Sequence, residues 1–156
     1  MSIILNTKLR DKEQEQRKYI ASKLLLKADK AVKNYLYVSE SQLMNDKGIV
    51  DYYTCNDISK ESFENRLKVL FFDRKYDNYQ LSIFDFNAKG QAYRIENTID
   101  FGTLNAIYFS DLCIQVTNRF FLINGRRLRG CYLGKFNVVQ GSQLLGSYFV
   151  LLTPKF

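Results

Sequence analysis

The feature that most constrains the fold of this chain is an alternation of apolar and polar side chains that begins at residue 79. In the stretch YQLSIFDFNAKGQAY, the apolar residues Tyr79, Leu81 and Ile83 alternate with polar ones, which is the period of a half-buried β-strand. Gly90 lies in the following polar segment and can adopt the positive φ that a tight reversal needs. The pattern predicts a β-hairpin over residues 79–95.

Extended patterns continue in the second half of the chain, and residues with a turn preference separate them. The first segment is interrupted near Thr117-Asn118, and turns are predicted at Asn124-Gly125 and Gln140-Gly141-Ser142. The extended segments are residues 113–123, 131–139 and 144–153. Together with the hairpin they predict one antiparallel sheet of about five strands, whereas a lipocalin-like carrier needs about eight.

A helical pattern occupies the first part of the chain. From about Thr7 to Val38 there is no Gly or Pro, and an apolar stripe with spacings of three and four is predicted along one face, formed by Ile20, Leu24, Ala28, Ala31, Tyr35 and Val38. Residues 8–18 are instead almost entirely charged or Gln, so we expect them to project into solvent or to pair with another chain through a narrow seam. The sequence therefore predicts one long N-terminal helix whose second half packs on the sheet.

Two further helices are predicted from residues that commonly begin helices. Ser59 suits an N-cap, and it precedes an apolar stripe that starts at Phe63. Asp100 suits the N-cap of a short helix over residues 101–109, whereas residues 44–53 are predicted to be irregular or briefly helical. The short helix would lie between the second and third strands, so the predicted class is α+β.

Length and composition favour a single domain. The chain has 156 residues, of which 46% are hydrophobic, and this is enough for one substantial core but not for two. No uninterrupted apolar run in the sequence approaches the roughly 20 residues that a membrane-spanning helix needs.

The positive charge is unevenly distributed. The formal net charge is +7; residues 1–33 hold nine Lys and Arg against four acids, and residues 112–156 hold six and no acid. This balance suits a solvated helix face plus a basic loop, or attraction to phosphate or anionic lipid. The alternative function is therefore a cytosolic basic module that binds nucleic acid or anionic lipid. It would require the basic run Arg126-Arg127-Leu128-Arg129 to join the helix lysines in one patch, and no nucleic-acid motif supports it.

Catalysis and metal binding are not expected. The chain has no His, and Cys55, Cys113 and Cys131 form no CxxC pair, so the usual zinc spacings and the Ser-His and Cys-His nucleophile systems are excluded. Neither GxGxxG nor a P-loop is present. We expect a non-catalytic domain without cofactor or metal, in which Cys113 and Cys131 are buried as small apolar residues.

Four stretches carry a resemblance to a known family. They are ASKLLLKADKAVKNYL, FFDRKYDNYQLSIFDFNAKG, IDFGTLNAIYF and YLGKFNVVQGSQLLGSYFVLLTPK. In their order and spacing they resemble the periplasmic sensory region of a family of bacterial membrane-bound sensor histidine kinases. The predicted plan also resembles the PAS or Cache type of extracytoplasmic sensor domain. The resemblance covers about residues 17–155.

The resemblance implies a sensor portion of a two-component kinase, without the kinase itself. Residues 1–16 would begin a membrane-proximal connector helix, and residues 17–156 would form a single PAS/Cache-like domain in the periplasm. Membrane spans would flank this chain without being part of it, and Ile3-Ile4-Leu5 would be the outer end of the first one. The intact receptor would be a homodimer, and binding of an unknown small molecule or periplasmic partner would shift the N-terminal helix. Nucleic acid is not an expected partner.

Three side chains are the candidates for contacting a small anionic ligand. Arg94 follows the hairpin, and Arg119 and Tyr132 lie on the later strands. A concave sheet face with a few polar groups is the usual form of such a pocket. The simpler interpretation of each is a solvent-facing strand residue.

Overall fold

The structure is a computed structural model that describes residues 11–16, 30–71, 79–124 and 130–155. Contacts divide the chain into two units, Met1–Tyr35 and Leu36–Phe156. In the first unit, residues 11–16 and 30–35 are helical. The part of the predicted N-terminal helix over residues 17–29 lies outside the described residues.

The second unit contains four helices and five strands among its described residues. Its first helix, α1, comprises residues 36–44. The elements that follow are α2 (Lys47–Thr54), α3 (Lys60–Phe71), β1 (Tyr79–Asn87), α4 (Phe101–Tyr108), β2 (Cys113–Gln115), β3 (Phe120–Ile123), β4 (Tyr132–Gln140) and β5 (Gln143–Pro154).

The predicted end of the N-terminal helix at Val38 is wrong, because the helix continues to residue 44. Val38 is exposed, and the buried side chains of α1 are instead Leu36, Ser39, Glu40 and Leu43. These four recur at spacings of three and four, so they form one face of the helix. The buried face was misplaced because it contains two polar residues.

The strands form one five-stranded antiparallel sheet in the order β1-β5-β4-β3-β2. The predicted α+β class and the single antiparallel sheet of about five strands are therefore confirmed. Two of the five strands differ from the prediction, because residues 113–123 divide into β2 and β3 and residues 91–95 form no strand. The short helix α4 consequently lies between the first and second strands, and its predicted place between the second and third is wrong.

The predicted hairpin is reduced to one isolated bridge, between Phe86 and Ala92. The side chain of Asn87 folds the turn, since its Oδ1 accepts hydrogen bonds from the backbone N–H groups of Lys89 and Gln91, both at 2.9 Å. Beyond this turn the side chain of Arg94 bonds to carbonyls at the end of α2. Arg94 thus directs the segment after the turn toward α2. The backbone pairing of this segment with β1 is limited to the residues next to the turn, where Tyr93 N donates to the Asp85 carbonyl oxygen at 3.3 Å.

Three local predictions are confirmed. Ser59 caps α3, since its Oγ accepts a hydrogen bond from Ser62 N at 3.1 Å, and Asp100 caps α4 by accepting from Thr103 N at 2.8 Å. The turn between β4 and β5 is Gly141-Ser142, and Gly141 has a φ of 63°, as the first position of a type I′ or II′ hairpin requires. Gly125, in the other predicted turn, lies outside the described residues.

The sheet is covered on both faces. Tyr148 and Phe149 are neighbours on β5, so their side chains point to opposite faces. The ring of Phe149 lies 5.7 Å from that of Phe101 on α4, and the ring of Tyr148 lies 5.6 Å from that of Phe63 on α3. On the α3 face, Phe136 of β4 stacks on Tyr148 at 5.1 Å.

Gly134 on β4 lets an aromatic ring approach the backbone of the sheet. A Cβ added there would lie 2.6 Å from the ring of Phe120, which is fully buried. We therefore expect Gly134→Ala to lower the free energy of unfolding by about 1–3 kcal/mol, the usual cost of overpacking. The measurement is urea denaturation followed by far-UV circular dichroism. The control is Gly102→Ala on α4, where an added Cβ meets nothing within 4 Å; equal losses in both variants would contradict the packing argument.

Candidate ligand-binding site

Arg119 was predicted to lie on a strand, but the structure places it in the turn between β2 and β3. Several hydrogen bonds fix the backbone of this turn. Thr117 Oγ1 accepts from the N–H of Phe120 at 3.0 Å. The carbonyl oxygen of Arg119 accepts from Tyr108 Oη at 2.8 Å and from Lys135 N at 3.4 Å. The turn therefore holds the Arg119 Cα in place and leaves its half-buried side chain to extend from the sheet.

Two adjacent cavities meet at this side chain. The larger, of about 330 Å³, lies between α1, α2 and β4, with Phe136 and Tyr148 in its lining. The smaller, of about 280 Å³, lies between the end of α1 and the β2–β3 turn. Arg119 and Met44 line both. Ligand pockets measure about 300–1,000 Å³, so the larger cavity lies within this range and the smaller one just below it.

The charged groups around the cavities differ in whether they are paired. Asp46 lines the larger cavity, and it accepts two hydrogen bonds from Arg66, at 2.6 Å from Nε and 2.5 Å from the terminal nitrogen. In the part of the chain that the structure describes, no hydrogen bond or ion pair reaches the Arg119 guanidinium. Glu40 lines the smaller cavity and is 7% exposed, and its Oε2 has no hydrogen-bond partner among the described residues.

The charged groups around the cavities affect the pKa values of two tyrosine hydroxyls. Burial raises the pKa of Tyr108 to about 12; the positive charge of Arg119 opposes this rise and the negative charge of Glu40 adds to it. Burial also raises the pKa of Tyr148, and Arg119 again opposes the rise. Both tyrosines therefore remain neutral hydrogen-bonding groups at physiological pH, and Arg119 and Glu40 are the charges that a ligand would meet.

Arg94, the first predicted contact, lies at the C-terminal end of α2. Its terminal nitrogens donate to the carbonyl oxygens of Asn56 at 3.1 Å, Tyr52 at 3.1 Å and Cys55 at 2.7 Å. The guanidinium also lies over the rings of Tyr52 and Tyr93, at 4.9 and 5.0 Å. A cation at this position satisfies the free carbonyls and the negative end of the helix dipole. Arg94 thus stabilises the helix end and lines neither cavity at Arg119.

Tyr132, the third predicted contact, is buried in the sheet. It is the first residue of β4, it pairs with Leu122 and Leu152, and its ring lies 6.0 Å from that of Tyr79. It lines neither of the two cavities. Of the three predicted ligand contacts, the structure therefore places only Arg119 at the cavity.

Glu40 is the residue of the site that was missed from the sequence. It occupies the core face of α1, four residues after Leu36 and three before Leu43. A carboxylate at a position that helical spacing assigns to the core is unusual, because charged side chains are rarely buried without a partner. The sequence contains this signal, but recognising it requires knowing which residues of α1 face the core.

A second polar cluster lies inside the protein and joins three elements. The carboxylate of Asp85 on β1 is fully buried; it accepts a hydrogen bond from Tyr52 Oη at 2.5 Å and forms an ion pair with Lys60 Nζ at 3.0 Å. Lys60 also donates to Asn97 Oδ1 at 3.0 Å. Burial and the bond to Asp85 raise the pKa of Tyr52, so its hydroxyl remains a donor. Tyr52 belongs to α2, Lys60 to α3 and Asp85 to β1, so the cluster connects both helices to the sheet.

The ion pair between Asp46 and Arg66 makes a pH-dependent contribution to stability. Hydrogen bonds from Arg66 lower the pKa of Asp46 below 3.8. A carboxyl group whose pKa is lower in the folded than in the unfolded protein stabilises the folded state at pH values above its unfolded-state pKa. This contribution is lost as the pH falls through the folded-state pKa. We expect Asp46→Asn to lower the melting temperature at neutral pH and to flatten its decline below about pH 4.

The measurement for Asp46→Asn is a series of thermal melts from pH 2 to pH 7. Asp57→Asn removes an exposed carboxyl from the loop after α2 and serves as the control. If the two variants give the same pH profile, the pair with Arg66 does not contribute as described.

The three cysteines are free thiols, with Cys131 buried and Cys55 exposed. Cys113 is partly buried, so its predicted burial holds only in part. Burial raises the pKa of the Cys113 and Cys131 thiols, which lowers their reactivity.

None of the helices within the described ranges has the length and apolar character that crossing a membrane requires. The described residues also contain no group of three or more Cys, Asp or Glu side chains placed to hold a metal ion. Comparison with known proteins gives no match to a family model, to a curated protein or to a solved structure.

Proposed function

We propose that this chain is the ligand-sensing domain, of PAS or Cache type, of a bacterial membrane-bound sensor histidine kinase. In this proposal the domain lies on the extracytoplasmic, periplasmic side of the membrane and has no catalytic role of its own. The observation that carries the proposal is the cavity between α1 and the β2–β3 turn: among the described residues, no hydrogen bond or ion pair reaches the Arg119 guanidinium, and Glu40 Oε2 has no hydrogen-bond partner. A protein that only needed a stable core would gain nothing from two such groups beside a cavity.

The sheet supports the assignment to a PAS-like class. Its first strand lies beside its last, and consecutive strands follow from there to the opposite edge. The bridge between Phe86 and Ala92 lies where the second strand of an initial hairpin would pair. This arrangement, with helices on both faces, is compatible with a PAS-like fold.

The position of α1 supports a sensing mechanism. Glu40 and Met44 bring this helix to the cavity, whereas Arg119 belongs to the turn between β2 and β3. A ligand that contacts both α1 and Arg119 would bind one arrangement of the helix more tightly than another. Only such a difference in ligand affinity between two arrangements can transmit a signal. In a homodimeric receptor, the N-terminal helix would carry this shift toward the membrane and the kinase.

The test uses the membrane-bound receptor that contains this chain. We expect Arg119→Gln and the cavity-filling Met44→Trp to change the rate of autophosphorylation in isolated membranes by at least about 5-fold, the lower limit of typical coupling between sites. Lys89→Gln, at an exposed loop lysine, is the matched control. If both cavity variants autophosphorylate at the parent rate while present at parent levels, the sensor proposal is wrong.

The alternative basic binding module is favoured only by the net charge of +7. Residues 126–129, on which it depends, lie outside the described residues. Binding of a generic DNA duplex with a dissociation constant of about 1 μM or tighter at physiological salt, beyond the usual non-specific range, would favour that alternative.

A further inference from the structure

Glu40 is the group in the cavity that a simple anion cannot satisfy. Its side chain lies on the buried face of α1, and no donor among the described residues reaches its Oε2. A buried carboxylate is stable as an anion only beside a cation or several donors. An anionic ligand would add a second negative charge beside it.

Arg119 provides the opposite charge in the same cavity of about 280 Å³. No ion pair joins Arg119 to Glu40 in the described part of the chain. Among the described residues, no other acidic or basic side chain lines this cavity, and Ser41, Asn45 and Asn118 add polar groups to it. The cavity thus has a cationic group and an anionic group that are not joined by an ion pair.

We propose that the ligand of this cavity is a small zwitterion of the α-amino acid class. Its carboxylate would bind the Arg119 guanidinium, which presents paired donors to such a group, and its ammonium group would bind the Glu40 carboxylate. A monocarboxylate would leave Glu40 unpaired, and an amine would leave Arg119 unpaired. This inference rests on the proposed sensor function and specifies the chemical class that the sensor detects.

The experiment is calorimetric titration of the purified full chain with each of the twenty α-amino acids. The tightest binder is then compared with its deaminated acid, which lacks the ammonium group, and its decarboxylated amine, which lacks the carboxylate. We expect either deletion to weaken binding at least 10-fold, since each removes a charge-assisted hydrogen bond worth about 1.5–3 kcal/mol.

Two variants assign the contacts. Glu40→Gln should abolish the preference for the amino acid over its deaminated acid, and Arg119→Gln should abolish the preference over the amine. Lys89→Gln should change neither preference. Circular dichroism verifies that each variant is folded, and the parent protein's own preferences provide the test if Glu40→Gln does not fold.

Three results would overturn the inference. They are the absence of binding by any amino acid, equal binding of an amino acid and its deaminated acid to the parent, and an unchanged preference in folded Glu40→Gln. None of these would by itself refute the sensor proposal, which is judged by the autophosphorylation of the cavity variants. A sensor that binds simple carboxylates through Arg119 would retain the proposed function and lose only the amino acid class.

Discussion

Replacing Lys60 by methionine is expected to lower the free energy of unfolding by about 3–5 kcal/mol, the usual cost of removing one partner of a buried ion pair. The Lys60 side chain is 11% exposed, and its Nζ lies 3.0 Å from a carboxylate oxygen of the fully buried Asp85. Methionine retains most of the apolar stem but leaves the Asp85 carboxylate with Tyr52 as its remaining side-chain hydrogen-bond donor among the described residues.

The measurement is urea denaturation followed by far-UV circular dichroism, because the chain has no Trp. Lys68→Met, at an exposed lysine on the same helix, should stay within about 0.5 kcal/mol of the parent, as surface substitutions usually do. The double variant Lys60→Met/Asp85→Leu should be more stable than Lys60→Met alone, because it also removes the unpaired charge. Parent-like stability of Lys60→Met would refute the role of this pair.

Phe149→Ala is expected to cost a similar amount, about 3–5 kcal/mol, through loss of burial and creation of a cavity. Phe149 is fully buried on β5. Its ring lies 5.9, 5.7 and 6.3 Å from the rings of Phe86, Phe101 and Tyr108, all at steep interplanar angles, a geometry that adds to the energy of burial. The substitution therefore weakens the contact between the sheet and α4.

The same denaturation assay tests Phe149→Ala against Leu144→Ala. Leu144 is on the same strand but is 43% exposed, so its truncation should cost much less. A loss below about 1 kcal/mol for Phe149→Ala would mean that the α4 face collapses around the missing ring or contributes little to stability.

The predictions that depended on local chemistry agree with the structure. The N-caps Ser59 and Asp100 and the turn at Gly141 each require only a few neighbouring residues, so their signals are present in the sequence itself. The alternation of apolar residues likewise indicated where β1, β4 and β5 lie, and hence one sheet.

The errors arose where a distant partner decides the outcome. The segment after β1 has an extended pattern, but Arg94 is held by carbonyls at the end of α2, and no pattern in the segment itself indicates that contact. The same bonds explain why Arg94 is not at the cavity. Arg119 was identified as a charged residue on a predicted strand, whereas Glu40 required knowledge of which face of α1 is buried.

The position of β5 has a consequence for the order in which the domain folds. β5 lies between β1 and β4 in the sheet, so β1 cannot join the sheet until residues 143–154 have left the ribosome. The register joins Tyr79 to Pro154 and Asn87 to Gly146, and such non-local pairing slows folding. Until then β1 is paired only through its bridge to Ala92, and its other edge is unpaired, which is a template for aggregation. A nascent chain that stalls before residue 143 would therefore be a client for chaperones, even though its helices and the β3–β4 pair are already complete.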